Sequence, residues 1–443
     1  MNFALPRRKV EPNVPIGLLN KRSLISPTRT SGSTSASRRH FIPRRHSFLN
    51  FLAASFVLAV STLSATPSSP RNLFAELLGQ PESAIDAKLD AAWQQLFHGD
   101  ERTERLYYPA DGDAAYIADT GNQDVRTEGM SYGMMIAVQT DHRDEFDRLW
   151  RWAKRHMRHD SGPRRGYFAW HCKFDGKKID AGSASDGEEW FAMALFFAAH
   201  RWHDDTYAAE AQTLLRDMLH KPATGGVTSI FDRERRQVVF APTPAASQLT
   251  DPSYHLPSYY ELWAQWSDDA DDRVFWREAA RTSREFFRCA AHPQTGLMPE
   301  YAHFDGRPFT ETLFGPGKGD FRFDAWRTLA HVALDHAWFA ADPWQIEQSN
   351  RVLRFLASHA PRIPNQFTLD GRPLSEEPSP GLIAMAAVAG LAADPELARP
   401  FVQQLWDLPI PTGRWRYYDG LLYHLALLQV SGRFHAFAPP DAP

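Results

Sequence analysis

Cysteine is scarce in this sequence. The 443-residue chain contains two cysteines, Cys172 and Cys289. Two cysteines exclude a disulfide framework, and their spacing is not that of a metal site. They leave open a single disulfide bridge, which the sequence alone does not decide. The chain also lacks the glycine-rich loops that bind phosphates and dinucleotides, so we expect neither a metal nor any other cofactor.

An excess of basic charge is also missing. Lys and Arg number 49 against 53 Asp and Glu, which gives a formal net charge of -4. Since proteins that bind nucleic acid usually carry a basic patch, we expect no nucleic-acid partner. Aromatic residues are abundant instead, with 14 Trp and 13 Tyr. Rings exposed in a cleft would suit the apolar faces of sugars, whereas rings in a core only pack.

The first 65 residues differ in composition from the rest. Residues 1–37 are rich in Arg, Ser and Pro and have no apolar periodicity, which predicts disorder. Ser37–Ile42 resembles a twin-arginine export motif, and the apolar run Phe48–Leu63 is followed by the small residues Ser64 and Ala65. We therefore expect export to the periplasm or beyond, without stable membrane association afterwards. An uncleaved anchor is the alternative, although the run is short for a membrane-spanning helix.

From Asn72 onward, apolar residues recur at spacings of three and four, which predicts helices separated by Pro-, Gly- and Asp-rich loops. Gln237–Phe240 is a candidate strand. No linker-like composition follows Pro70, so we expect one domain over residues 70–438, acting as a monomer. About a dozen helices fit a bundle, a solenoid or a toroid. The predicted helices are Ala84–Leu96, Asp144–Met157, Glu188–Trp202, Thr206–Leu219, Tyr259–Trp266, Arg273–Arg288, Trp326–Phe339, Trp344–Ser358, Gly381–Ala392, Pro395–Leu405 and Gly420–Val430.

A carboxylate stands at the start of another helix-compatible stretch, Asp124–Gln139. Glu128 separates a polar segment from an apolar run, and partial burial there would raise its pKa toward the value that a general acid needs. Gly129 and Gly133 would let a ligand or a neighbouring backbone come close. The alternative is a first-turn glutamate stabilised by the helix dipole.

The segment Arg126–Met134, Arg-Thr-Glu-Gly-Met-Ser-Tyr-Gly-Met, resembles the signature of glycoside hydrolase family 8. The similarity extends from about Asn72 to Phe437 and is greatest to the reducing-end xylose-releasing exo-oligoxylanases. It implies an all-α (α/α)6 barrel, a toroid of helical hairpins, that hydrolyses β-1,4-xylo-oligosaccharides with inversion. In this family the glutamate of the motif protonates the departing sugar oxygen, which implies that Glu128 is the general acid.

A second acid lies in Gly182–Trp190. Ser185 or Asp186 is a good helix N-cap, which would fully explain Asp186 in structural terms. The segment also resembles the Ala-Ser-Asp motif of the family, whose aspartate binds the sugar next to the scissile bond. Glu188 and Glu189 are expected to belong to the cap and the surface.

A third acid, Asp324, lies in Phe321–Arg327 between aromatic residues and arginines. A buried Asp–Arg pair that stabilises the helix start is one interpretation. The segment also resembles the aspartate-alanine-x-arginine motif of the family, whose aspartate activates water. This resemblance implies that Asp324 is the general base, and Asp320 is the competing candidate.

The remaining predicted site residues are substrate-binding. The resemblance implies that Tyr254 holds the nucleophilic water, with a buried structural tyrosine as the alternative. The aromatic residues of Tyr167–Trp170, which are Tyr167, Phe168 and Trp170, are candidate sugar platforms together with Trp326, and core packing is the equal alternative. Arg126 and Arg327 are expected to orient the carboxylates, because bidentate guanidinium contacts fix the geometry of a carboxylate.

One loop departs from the exo-acting members of the family. Their loop before the last helices carries a histidine and closes the cleft beyond the leaving sugar. The corresponding segment here, Leu374–Gly381, contains no histidine. An endo-β-1,4-xylanase and an endo-β-1,4-glucanase therefore stay open as alternatives, the latter with a role in bacterial cellulose synthesis. A non-catalytic glycan-binding barrel is a further alternative, but it would need neither Glu128 nor Asp324.

Overall fold

The computed structural model describes residues 67–439, so the predicted lead and export signal over residues 1–65 lie outside the described range. In that range, no helix is long and apolar enough to cross a membrane. Thirteen α-helices lie within residues 67–439. They are α1 (Leu73–Leu78), α2 (Glu82–Trp93), α3 (Thr127–Gln139), α4 (Arg143–Trp152), α5 (Ser185–Trp202), α6 (Asp205–His220), α7 (Pro257–Trp266), α8 (Ala270–Ala290), α9 (Arg327–Phe339), α10 (Trp344–Ala357), α11 (Pro380–Ala389), α12 (Pro395–Asp407) and α13 (Arg416–Val430).

The helices form two concentric rings. The inner ring consists of α3, α5, α7, α9, α11 and α13, and it closes where α13 packs against α3. The Tyr260 hydroxyl joins α7 to α5 by donating a hydrogen bond to Glu189, at 2.5 Å. Each inner helix packs against one outer helix, which is α4, α6, α8, α10, α12 or α2 in turn. This arrangement confirms the predicted (α/α)6 barrel.

The sequences of the two rings differ because their surroundings differ. An inner helix is covered by its outer partner and by the side chains that fill the barrel, so apolar and small residues occur around its whole circumference. In α11, every residue from Gly381 to Ala389 is buried. The outer helix α8 has a single apolar face with Phe275, Trp276 and Phe287, and charged residues cover its other face. Periodicity therefore predicts the outer helices more sharply than the inner ones.

Between residues 67 and 439, seven short strands lie in the loops and form three antiparallel sheets, and the sequence predicted only the last of these strands. In the three-stranded sheet, the strand Val125–Arg126 directly precedes α3 and places Arg126 opposite His171. Cys172 is buried in this sheet, and both it and the exposed Cys289 are free, which answers the open question of a bridge. The strands are β1 (Tyr107–Ala110), β2 (Ala114–Ile117), β3 (Val125–Arg126), β4 (His171–Cys172), β5 (Lys178–Asp180), β6 (Phe231–Asp232) and β7 (Gln237–Val238).

The eleven predicted helices are all present, but one boundary matters for the site. Helix α13 begins at Arg416, four residues before the predicted start at Gly420. The extra turn, Arg416–Asp419, has no side-chain N-cap hydrogen bond and contains only polar and aromatic residues. Without a cap or apolar periodicity, its helical state was not visible in the sequence.

Candidate active site

The acids that the sequence selected meet at one end of the barrel. Glu128 lies in the first turn of α3 and Asp186 in the first turn of α5. Asp324 lies in a short 3-10 turn, Phe323–Trp326, that leads directly into α9. Each of these acids is therefore next to the N-terminal end of an inner helix, where the helix dipole stabilises negative charge.

A single arginine connects the three carboxylates. Arg327 is 2% exposed, and its Nη1 donates to Glu128 Oε2 and to Asp186 Oδ2, both at 3.1 Å. Its Nη2 lies 3.3 Å from Asp324 Oδ1. The same guanidinium donates to the hydroxyls of Tyr132 at 2.6 Å and Ser253 at 2.8 Å. Arg327 thus contacts all three acids and fixes their positions relative to one another.

The carboxyl group of Glu128 is set up to carry a proton near neutral pH. Its burial raises its pKa to about 7, although the charge of Arg327 opposes this rise. The negative charges of Asp324 and Asp186 raise it further. Because a general acid works best with a pKa near the working pH, this environment suits proton donation.

Asp324 is the most exposed of the three acids, with 26% of its side chain accessible against 17% for Glu128 and 6% for Asp186. Of the three acids it is therefore the most accessible to water from the solvent. Since Nη1 and Nη2 of one planar guanidinium contact Glu128 and Asp324, their facing oxygens lie within about 9 Å of each other. That limit accommodates the spacing of about 6.5–9.5 Å that inverting glycosidases use.

Asp186 is oriented differently from the predicted cap. The N-cap of α5 is Ala184, which makes no side-chain cap hydrogen bond, and the Ser185 hydroxyl is buried without a partner. Asp186 Oδ1 accepts the backbone N–H of Gly187 at 2.8 Å, while Oδ2 faces Arg327. Burial raises the pKa of Asp186, and the nearby arginine opposes that rise. The capping interpretation is therefore wrong, because the side chain points into the barrel.

The expectation for the next two acids is also wrong. Glu188 is 1% exposed and Glu189 is fully buried, so neither lies on the surface. Glu188 Oε1 accepts the backbone N–H of Phe168 at 2.8 Å, and burial raises its pKa to about 8. Glu189 accepts the Tyr260 hydroxyl, and burial raises its pKa well above the usual range. The sequence misled here because α5 is an inner helix that is enclosed on all sides.

Of the aromatic residues proposed as sugar platforms, Trp170 is half-buried, and the Arg126 guanidinium lies 5.6 Å from its ring centroid. Trp326 is 2% exposed, and its Nε1 donates to the Asn365 carbonyl at 3.0 Å. Tyr167 and Phe168 are each 1% exposed. Core packing, the alternative interpretation, therefore holds for these three residues, since a buried ring offers no face to a sugar.

Arg126 does not orient the predicted catalytic pair by direct contact. Its side chain pairs with Asp124 at 3.0 Å and with Asp119 at 3.3 Å. His171 Nε2 lies 2.8 Å from Asp124 Oδ2 and completes this cluster at the edge of the site. The expectation that Arg126 orients the catalytic carboxylates is corrected accordingly, although its positive charge does lower the pKa of Glu128.

The segment Asp251–Pro257 lies beside Arg327. Tyr254 is 6% exposed, and the Arg327 guanidinium carbon lies 5.6 Å from its ring centroid. Asp251 is fully buried, and its Oδ1 accepts the backbone N–H of Ser253 at 2.7 Å. Asp320, the competing base, is half-buried and makes no ion pair with Arg327, so the geometry favours Asp324 over it.

Three residues of the site escaped the sequence argument. Ser253 and Tyr132 bind Arg327, and the Tyr417 hydroxyl donates to Glu128 Oε1 at 2.9 Å. Tyr132 could have been found, because it follows Glu128 by four residues and so lies on the same face of α3. Tyr417 lies 289 residues from Glu128 along the chain, in the helical turn that periodicity did not predict.

A helical barrel with an acid of raised pKa and a second, more exposed acid held by one arginine defines an acid–base hydrolase. Comparison with known proteins gives the family. The model of the glycosyl hydrolases family 8 matches residues 84–432. The chain therefore belongs to glycosyl hydrolase family 8.

Individual relatives cover nearly the whole barrel. The chain is 46% identical over 375 residues to the reducing-end xylose-releasing exo-oligoxylanase Rex8A of Paenibacillus barcinonensis, which covers 83% of this chain and 96% of Rex8A. A structure of Rex8A complexed with xylose matches with a TM-score of 0.79 over 84% of this chain and 98% of that chain. A family 8 xylobiose complex from Teredinibacter turnerae matches with a TM-score of 0.81 and 43% identity, over the same shares of the two chains.

A more distant relative has a different named activity. Endoglucanase A of Acetivibrio thermocellus is 25% identical over 366 residues, which is 80% of this chain and 71% of the endoglucanase. The relatives named for xylo-oligosaccharides are thus markedly more similar to this chain than this endoglucanase is.

Proposed function

We propose that this protein is an inverting glycosidase that releases xylose from the reducing end of β-1,4-xylo-oligosaccharides. The observation that supports acid–base hydrolysis most is the guanidinium of Arg327, which contacts both Glu128, whose pKa burial raises to about 7, and the more exposed Asp324. The similarity to Rex8A supports the substrate class.

The proposed mechanism is a single displacement. Glu128 gives its proton to the glycosidic oxygen as the bond from the anomeric carbon to that oxygen breaks. Asp324 takes a proton from a water molecule, whose oxygen bonds to the anomeric carbon from the opposite face. Asp186 is expected to bind the sugar next to the scissile bond, and Tyr254 is expected to hold the attacking water. Each turnover leaves Glu128 ionised and Asp324 protonated, so both must exchange a proton with solvent before the next.

Preference for xylose over glucose would depend on the C5 substituent. Xylose lacks the hydroxymethyl group of glucose, so a narrow aromatic-lined cleft would admit xylan fragments and exclude glucan fragments. The xylobiose in the related Teredinibacter turnerae structure and the weaker similarity to endoglucanase A favour xylo-oligosaccharides.

The loop Leu374–Gly381 is the candidate barrier for an exo mode. Its backbone is tied to the preceding segment, with Leu374 N–H bonded to the Gln366 carbonyl at 2.9 Å and the Glu377 carbonyl to Asn365 N–H at 2.8 Å. At its end, Asp419 Oδ1 accepts the Ser379 hydroxyl at 2.6 Å and Gly381 N–H at 2.9 Å. Pro373, Pro378 and Pro380 restrict the backbone further. A loop held at both ends can act as a wall even without the histidine.

Xylohexaose labelled at its reducing end is expected to give labelled xylose as the first product. The wall formed by Leu374–Gly381 would leave space for one sugar on the leaving-group side, so cleavage falls one residue from the reducing end. Chromatography of the earliest products measures this directly. Labelled xylobiose and xylotriose as first products would instead identify an endo-xylanase.

Cellohexaose provides the matched comparison in the same assay. Faster hydrolysis of cellohexaose than of xylohexaose would replace the proposed substrate by a glucan. Binding of both oligosaccharides without hydrolysis would identify a non-catalytic glycan-binding barrel.

A further inference from the structure

Tyr417 approaches the proposed general acid from α13, the inner helix that packs against α3. It lies in the first turn of α13 and is 4% exposed, and its hydroxyl donates to Glu128 Oε1 at 2.9 Å. Burial raises the pKa of Tyr417 well above its usual range, so the phenol keeps its proton at any working pH. Tyr417 is therefore a neutral hydrogen-bond donor to one oxygen of Glu128.

The two oxygens of Glu128 have partners of different chemistry. Oε2 accepts from Arg327, whose guanidinium is always charged and can only donate. A proton on Oε2 would be unfavourable, because it would add positive charge next to the guanidinium. Oε1 faces the neutral Tyr417 hydroxyl, which fills one lone pair and leaves the other for the proton. The catalytic proton thus belongs on Oε1, and the direction in which it points depends on Tyr417.

The contact between Tyr417 and Glu128 requires glycine at position 129. A Cβ atom on Gly129 would lie 2.5 Å from Tyr417 Cε2 and 2.7 Å from its hydroxyl oxygen, which are distances that real Cβ contacts do not reach. Gly129 follows Glu128 directly, so the absence of its side chain is what lets the phenol lie over the start of α3. Gly129 in α3 and Tyr417 in α13 are distant in sequence, yet both are needed for this contact with the carboxyl group of Glu128.

We propose that Tyr417 is a positioning residue that fixes the carboxyl group of Glu128 so that its proton sits on Oε1 and faces the glycosidic oxygen. This inference rests on the proposed role of Glu128 as general acid. The other charged or titratable groups around that carboxyl are Arg327, Asp186, Asp324, Tyr132 and Tyr418, with Arg126 nearby. None of these groups bonds Oε1, so removal of the Tyr417 hydroxyl leaves that oxygen without its hydrogen bond.

The substitution Tyr417→Phe removes only the hydroxyl. We expect kcat/KM on xylo-oligosaccharides to fall about tenfold, the usual effect of losing one hydrogen bond to a charged group. Dinitrophenyl β-xylobioside should be much less affected, since its leaving group departs without a proton. The hydroxyl stabilises the ionised form of Glu128, so its loss raises the pKa of Glu128. Activity requires the protonated acid, and the alkaline limb of the kcat/KM profile should therefore move to higher pH.

Tyr423→Phe is the matched control, because Tyr423 lies in the same helix and is fully buried, and its hydroxyl donates a 3.4 Å hydrogen bond to the Leu408 carbonyl. This control substitution should change neither the ratio of kcat/KM for the two substrates nor the alkaline limb of the kcat/KM profile. Gly129→Ala should push the phenol away from Glu128 and reproduce the shift of the limb. The double variant Gly129→Ala/Tyr417→Phe should show no further shift.

Two results would overturn the inference. One is a Tyr417→Phe enzyme with an unmoved alkaline limb, and the other is an equal loss of activity on both substrates, which a purely structural role would give. Glu128→Gln separates this from failure of the proposed function. If Glu128→Gln keeps near-normal activity, the general acid is misassigned; if it is inactive while Tyr417→Phe behaves as wild type, only the positioning role fails.

Discussion

Replacing Glu128 by Gln is expected to lower kcat/KM on xylo-oligosaccharides at least ~100-fold, the lower end for general acid catalysis. Glutamine keeps the shape of the side chain but cannot give up a proton. Its amide oxygen can still accept from Arg327, and its amide nitrogen can donate to the Tyr417 hydroxyl, which can turn to accept. Steady-state kinetics together with thermal unfolding measures both consequences.

The melting temperature separates catalysis from structure in this variant. We expect it to stay close to that of the wild type, and we expect xylohexaose still to bind. A melting temperature that falls sharply together with activity would mean that Glu128 is a structural residue of the first turn of α3. Near-normal activity would exclude Glu128 as the general acid.

Replacing Asp324 by Asn is expected to reduce hydrolysis of every substrate strongly, including those with good leaving groups. Activation of water does not depend on how easily the leaving group departs, so an activated aryl glycoside cannot compensate for the loss of the base. The expected loss is about 100- to 10,000-fold, the usual range for acid–base catalysis. Kinetics on xylohexaose and on dinitrophenyl β-xylobioside measures it.

Asp320→Asn is the matched control for this change. Asp320 precedes Asp324 by four residues, is half-buried and lies outside the group held by Arg327. Its substitution should therefore be mild. The reverse outcome, with Asp320→Asn inactive and Asp324→Asn mild, would move the base to Asp320.

The predictable part of this site is the part that is contiguous in sequence. Glu128, Asp186 and Asp324 each lie in a short motif at the start of a helix, so their residue types and neighbours are readable without a structure. The outer helices were predictable for a similar reason, since one apolar face gives a regular spacing of three and four. What such motifs cannot show is which acids come together.

The features that the sequence did not predict depend on how the fold buries each side chain. The sequence predicted Glu188 and Glu189 to be surface residues, because glutamates are usually exposed. Both are buried, because α5 is an inner helix of the barrel. Trp326 was a candidate sugar platform because the local sequence around a tryptophan does not show whether its ring is exposed or buried. The sequence predicted that Gly129 lets a ligand or a neighbouring backbone come close, whereas the side chain of Tyr417 occupies that space. Each of these outcomes is decided by a residue far away in the chain.

The configuration of the first-formed product tests the central claim, which is single displacement by Glu128 and Asp324. Proton NMR of xylohexaose hydrolysis, recorded before mutarotation, resolves the anomer of each new reducing end. Attack by water from the face opposite the leaving group must convert the β-linkage into an α-anomer. An initial α-anomer is the predicted result. An initial β-anomer would mean net retention and would contradict the pairing of these two carboxylates as acid and base.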